Sequence, residues 1–254
     1  VISETFTVGD RPELDIRVHA GRVEIVPGTA GTISVTVETN DPNFRVTQRG
    51  DLIEIASDRE ARWLLARPAE VTVTMPPEGG RTQIRTATAS VVVQCPMDRL
   101  DIDAASGEVR AGKVRRVEAK TASSNIRVEE VTETARLRTA AGDVRIERAQ
   151  GTVDISTASG DIRIDDADAV VDVSTASGRV QVGRFVGSSI NLKSMSGSFE
   201  VGMETGTKVD LDCTSLSGKV IWPPKVDPPP QVRRQVAIKA KSMSGDLILK
   251  RITT

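Results

Sequence analysis

Tyrosine is absent from this 254-residue sequence, and aromatic residues amount to four phenylalanines and two tryptophans. A core anchored on rings is therefore excluded, and the supply of valine, isoleucine and threonine favours stacked β-branched side chains instead. There is one histidine and there are two cysteines, too few for a His/Cys metal site, and any Ser-His-Asp or Cys-His pair would have to use His19. No apolar run reaches membrane-spanning length, and the opening VISETFTVGD lacks a signal-peptide pattern. Neither a G-x-G-x-x-G nor a Walker A stretch occurs, so no nucleotide cofactor is expected. Asp161, Asp165, Asp166, Asp168 and Asp172 are crowded together but lack the ligand order of an EF-hand, and no metal is expected. With a formal net charge of −1 and 27% charged residues, the surface is dense in charge but balanced in sign. Nucleic acid is an improbable partner for such a surface, which has no basic excess.

What the sequence does have is repetition. VDISTASGDIRIDDA at 153–167 recurs as VDVSTASGRVQVGRF at 171–185. Taking the small turn residue as a marker, copies fall at Gly107, Ser124, Gly142, Gly160, Gly178, Gly197, Gly218 and Gly245, with spacings of 17, 18, 18, 18, 19, 21 and 27. The positions seven and five before the marker and two and four after it are apolar in all eight units, 32 of 32. Each unit thus reads as two short strands of period-2 alternation joined by a Thr-Ala-Ser-Gly corner. One unit cannot bury its apolar face alone, and stacking units in parallel buries a continuous column. A further apolar residue seven after the marker (Val114, Val131, Ala149, Ala167, Phe185) adds a third inward corner.

These features predict an all-β, parallel β-solenoid of about 18-residue coils, expected to be right-handed. A hexapeptide helix is excluded because the 153–170 unit does not keep an aliphatic residue every six, and a calcium β-roll because its GGxGxD nonapeptide is missing. Residues 81–254 are assigned to the solenoid and 1–80 to an N-terminal β-meander and cap continuous with it. Weaker copies of the pattern fall at 84–95, with Ala89 as marker, and at 14–25, with Gly21. The stretches 33–39, 44–57 and 70–76 read as meander strands, and 58–67 as a short amphipathic segment capping the stack. At a rung spacing of about 4.8 Å, Cys95 and Cys213 stand roughly 30 Å apart and should be free thiols.

The patterns LDIRVHAGRVEIVPG and AEVTVTMPPEG and the tandem TASGDIRI units resemble the bacterial putative-adhesin family of β-strand repeat proteins, the toast-rack domains. The resemblance spans most of residues 10–250. It implies a repetitive β-solenoid, encoded in envelope or stress-response contexts, with no established catalytic residues.

Three features go beyond what a solenoid requires. Arg110, Arg127, Arg145 and Arg163 recur three after the marker, flanked by Glu108, Asp143 and Asp161 on one side and Glu129, Glu147 and Asp165 on the other. Such a ladder is either a self-neutralising solvated face or a docking surface for a charged partner. Serines one before the marker, such as Ser159 and Ser177, would stack as a hydroxyl column, either satisfying turn amides or offering a ligand-binding track. The segment 222–235 contains five prolines, among them Pro228, Pro229 and Pro230, and must leave the ladder as a loop able to meet a partner. The function expected is a non-enzymatic structural or binding module presenting side-chain ladders to a protein, a glycan or an envelope component. The alternatives are an intracellular scaffold that self-associates through terminal strands such as Leu247–Ile252, and a polysaccharide-active solenoid enzyme, for which aromatic sugar platforms are lacking. The chain as given is expected in the cytoplasm, with envelope association if a leader or anchor has been removed.

Overall fold

The computed structural model describes residues 1–57, 67–77, 79–224 and 231–252. Every regular element among them is a β-strand. The chain divides into two compact units, Val1–Val128 and Glu129–Thr254.

In the first unit the strands are β1 (Ile2–Thr7), β2 (Glu13–Pro27), β3 (Thr32–Thr39), β4 (Phe44–Arg49), β5 (Leu52–Ser57), β6 (Ala69–Met75), β7 (Arg81–Val93) and the opening part of β8 (Met97–Ala141). β2 lies at the centre. It runs parallel to β7, with Ile16 beside Ile84 and Val23 beside Val91, and β7 runs parallel to β8 in turn. On its other side the first half of β2 pairs in parallel with β5 and the second half with β6. Residues 13–27 are thus a full rung, and the stretches expected to form a meander are divided in role. β5 and β6 belong to the parallel stack, while β4 on β5, β3 on β6 and β1 on β3 are antiparallel additions that close its end. The alternation of TISVTVET explains the fit of that closing strand, because Ile33, Val35 and Val37 are fully buried while the intervening residues are not. The capping segment expected at 58–67 lies outside the described residues except for Arg67.

The second unit shows the repeat most regularly. β9 (Val144–Ser159) and β10 (Ile162–Ser177) pair in parallel with a constant 18-residue offset, Ile162 on Val144 and Val171 on Val153. Beyond them follow β11 (Val180–Phe185), β12 (Ser189–Ser196) and β13 (Phe199–Glu204). Ile155, Ile162, Ile164, Val173, Val180 and Val182 are all buried, and Ala149, Ala167 and Phe185 fill the third inward corner. Arg163 points to solvent. The register is therefore the expected one; a one-residue slip would have inverted every side chain.

The corners are held by groups other than the expected serines. Thr139, Thr157 and Thr175, three before the marker, donate their hydroxyls to the carbonyls of Ala141, Ser159 and Ser177 at 2.9, 3.0 and 3.0 Å. Ser159, Ser177, Ser196, Ser217 and Ser244 are exposed instead. Just after the marker, Asp143 accepts the Asp161 amide at 2.9 Å and Asp161 accepts the Arg179 amide at 2.8 Å, so each aspartate ties its corner to the next rung. Glycine is required at the marker because rungs approach backbone to backbone: Gly178 has φ of +133°, and a Cβ there would lie 2.2 Å from the Gly160 carbonyl oxygen.

The last three rungs are not stacked in chain order. β16 (Arg234–Ser244) pairs with β12 on one side and with β14 (Thr207–Ser217) on the other. β17 (Leu247–Ile252) likewise lies between β13 and β15 (Val220–Ile221). The final stretch of chain is thus inserted inside the stack, and the outermost rung is 207–221. Leu247–Ile252, expected to be an exposed terminal strand, is paired along its length with β13 and, through Leu247 and Ile248, with β15. Burial gives the physical reason: Val236, Ile238, Ala240, Leu247 and Leu249 are all within 2% of full burial, whereas the outer rung offers the more polar Val-Asp-Leu-Asp-Cys run.

Two outcomes follow for stability. Ile164→Ala should cost about 2–5 kcal/mol in chemical denaturation, since it opens a cavity in a packed column. Truncation after residue 233 should release two rungs and not one, because β14 and β15 lose their only ladder partners among the described residues; hydrogen exchange should then find Thr207–Ile221 unprotected.

Candidate binding surfaces

The arginine column in the second unit is engaged internally. Arg145 reaches Asp165 at 2.7 Å and Arg163 reaches the same carboxylate at 2.5 Å. Arg163 also contacts Gln181 at 3.4 Å, Gln181 donates to Glu200 at 3.2 Å, and Lys250 closes the row on Glu200 at 2.6 Å. Burial alone would push the Asp165 carboxyl up, but hydrogen bonds from Arg163 and Arg145 outweigh it and hold the group below the usual range. One corner further on, Arg184 is clamped between Asp166 at 2.9 Å and Glu204 at 2.6 Å. These pairs join successive rungs side by side, which is how a ladder of like charges becomes tolerable. In the first unit Arg110 is paired with Glu108 of its own rung at 2.8 Å, and Arg127 is exposed with no ion pair among the described residues. The geometry therefore matches a self-neutralising face. Pro228, Pro229 and Pro230 lie outside the described residues.

A concavity that the repeat reading did not pick out lies on the first unit. Arg17, Val18, His19, Ala56, Arg85, Thr86, Ala87, Asp103, Ala104, Ala105 and Lys120 line a groove of about 610 Å³. Its origin is columnar. Arg17, Arg85, Asp103 and Lys120 each stand four residues before a corner marker, and Ala87 and Ala105 two before it, so long polar side chains wall a floor of alanine. The cations are backed from the next outward column: Asp15 holds Arg17 at 2.5 Å and lies 3.7 Å from Arg85, and Glu118 holds Lys120 at 2.9 Å. Arg17 spends Nε and Nη2 on Asp15, whereas Arg85 is exposed and stands near the same carboxylate without a hydrogen bond to it among the described residues. His19 is exposed at the groove, and its backbone carbonyl accepts the hydroxyls of Thr86 and Thr88 at 3.5 and 3.4 Å. The sequence signal for this site was the basic bias four before the marker, hidden because the column also contains Asp103.

A third surface arises where the alanine column changes character. In the last three units the residue two before the marker is Met195, Leu216 or Met243, exposed by 60, 80 and 53%. The pairing of Ser194 and Ser215 with Ser242 places these in the spatial order Met195, Met243, Leu216. The triplet S-[ML]-S-G is legible in the sequence, but not the neighbourhood that the rung order creates. Beside it the hydroxyls of Ser194, Ser215 and Ser242 are buried without a hydrogen-bond partner, at the place where Thr139, Thr157 and Thr175 close their turns. Cys95 and Cys213 do not bridge each other; the buried Cys95 donates its thiol to the Pro76 carbonyl at 3.3 Å, and the half-buried Cys213 on the outer rung has its thiol pushed up by burial and by neighbouring Asp212.

The family model for Toastrack DUF4097 matches residues 12–253. The chain belongs to the Toastrack family. Among solved structures, the Toastrack fold is shared with a putative adhesin from Parabacteroides distasonis at a TM-score of 0.55 and 14% identity, covering 98% of this chain and 96% of that one. A putative adhesin from Parabacteroides merdae aligns at a TM-score of 0.54 and 10% identity, with coverage of 98% and 95%. At such identities the likeness speaks for the fold alone. No curated protein matches the chain.

Because its folded pKa is depressed, Asp165 contributes stability that is complete above the ordinary aspartate range, near pH 4, and is lost as pH falls through the lower folded value. Asp165→Asn should thus narrow the difference in melting temperature between neutral and acid solution. The change should be small and should shrink with added salt, as for any largely solvated pair.

Proposed function

We propose that this Toastrack chain is a non-catalytic binding module, and that the groove of the first unit receives an acidic, extended segment of a protein partner. The observation that carries this reading is the combination of an alanine floor with Arg17, Arg85 and Lys120 along its wall. A backbone can lie against alanine without side-chain obstruction, and arginine offers paired donors to a carboxylate. Among the described residues no Phe or Trp lines the groove, which favours a peptide over a sugar chain, since glycans rely on stacking against rings. The arginines of the second unit spend donors on Asp165 and Gln181, as Arg17 spends two on Asp15, which leaves Arg85 as the guanidinium best placed to meet a carboxylate in the groove. The names of the structural relatives, as adhesins, agree with binding in preference to turnover. His19 has the wrong company for catalysis: no nucleophile is hydrogen-bonded to its ring among the described residues.

The test is a charge reversal at two exposed positions. Arg85→Glu combined with Lys120→Glu should abolish capture of a partner isolated with the wild-type chain, while circular dichroism and the melting temperature stay near wild type. Arg145→Glu should cost stability but leave that capture intact. Full affinity in the folded Arg85/Lys120 variant would remove the groove from consideration.

A further inference from the structure

Among the described residues nothing pairs with the far edge of the outer rung of the second unit. β14 alternates inward Val209, Leu211 and Cys213, only half buried, with exposed Lys208, Asp210 and Asp212. Every other inward column of this unit reaches near-complete burial, as Ile238 and Leu192 do at 0%. Ile221 and Trp222, at the end of the same rung, are exposed by 45 and 53%, and Leu216 at its corner by 80%. Natural edges are blunted by inward charges, prolines or a covering segment. β14 has no proline, its charges point outward, and its free edge runs for 11 residues. None of Lys208, Asp210 and Asp212 forms an ion pair among the described residues, whereas Arg145, Arg163, Arg184 and Lys250 of this unit are paired.

We propose that β14 pairs with β14 of a second copy of this chain, antiparallel, about a two-fold axis normal to the sheet. An axis in that direction keeps inward residues facing inward, so that the half-buried residues between Thr207 and Leu211 of the two copies meet and cover each other. The charge pattern selects the register. Centred on Val209, the pairing sets Lys208 of each copy opposite Asp210 of the other and opposes no like charges. Centred on Leu211, it would set Asp210 against Asp212 twice. Centred on Asp210, it would set that aspartate against itself. Only the Val209 register satisfies both lysines at no repulsive cost. The partner is thus another copy of the chain, joined through a closed contact that ends at two.

Sedimentation equilibrium on the full chain tests this, with circular dichroism and melting temperature as controls of folding. The wild type should form a dimer whose association is weakened by salt. Lys208→Asp alone and Asp210→Lys alone should each weaken it about tenfold or more, because each sets two like-charge pairs across the contact. The double variant Lys208→Asp/Asp210→Lys should restore it. A wild type that stays monomeric at high concentration, a dimer indifferent to the single reversals, a double variant that is not rescued, or growth into open-ended polymers would each overturn the proposal. Because both positions are exposed, all three variants should fold, and the groove of the first unit is untouched by them.

Discussion

Each rung of this protein is a strand pair whose backbone groups are satisfied by another rung, and whose apolar face is covered only when rungs lie above and below it. The parallel ladder is the constraint on which everything else depends. It requires side chains to recur at fixed positions, because the residue at a given place in one rung touches the same place in the next. It also brings backbones together at the corners, where a carbonyl stands 2.2 Å from the place a Cβ would take at Gly160 and Gly178. The positive-φ glycines, the threonine hydroxyls folded back onto the turn and the aspartates reaching for the next amide are three local answers to that one requirement.

Columns also explain how such a chain accommodates charge. An arginine repeated every rung would meet its own copy within about 5 Å. The structure answers with a second repeated column of opposite sign. Asp165 serves two arginines, and Arg184 in turn serves two carboxylates. A net charge near zero with 27% charged residues is what such pairing produces when summed over the chain. Each pair is weak by itself in solvent. Their value lies in register, since a slipped rung would set like charges together along the whole face.

The apolar columns were legible because they are strict: Ile162, Ile164, Val171 and Val173 could be assigned to the interior from spacing alone. The position of β16 and β17 was not, since spacing along the chain says that a rung exists without saying between which neighbours it lies. Gly218 and Gly245 carry the same signature, and the choice between them rests on which apolar set gains more from double coverage. The serine before each glycine invited a turn role because it recurs, yet the bond to the carbonyl is made by the threonine two residues earlier, whose side chain faces back across the corner. The groove on the first unit escaped notice for a related reason. Its walls come from one column and its floor from another, and a concavity is a property of the two together.

In a ladder of this kind, the inward and corner positions are fixed by packing, and specificity can be written only in the outward columns and at the ends. Replacing alanine by Met195, Met243 and Leu216 costs the stack nothing internally, because these side chains project into solvent. Ser194, Ser242 and Ser215 stand where Thr139, Thr157 and Thr175 close their turns, and their buried hydroxyls, like that of Thr121, have no partner, which carries a cost. Both changes are confined to the last three rungs. One alone would be drift in a repeat; together they set the outer part of the second unit apart from the rungs before it. At this end the insertion of β16 and β17 also determines which strand is left outermost. Had the rungs stacked in chain order, the strand at the edge in place of β14 would have been β16, whose inward Val236, Ile238 and Ala240 are flanked outward by Lys239 and Lys241, of one sign. Reversing the last two rungs covers that apolar set on both sides and puts Lys208, Asp210 and Asp212 at the boundary, an edge whose mixed charges can discriminate among partners.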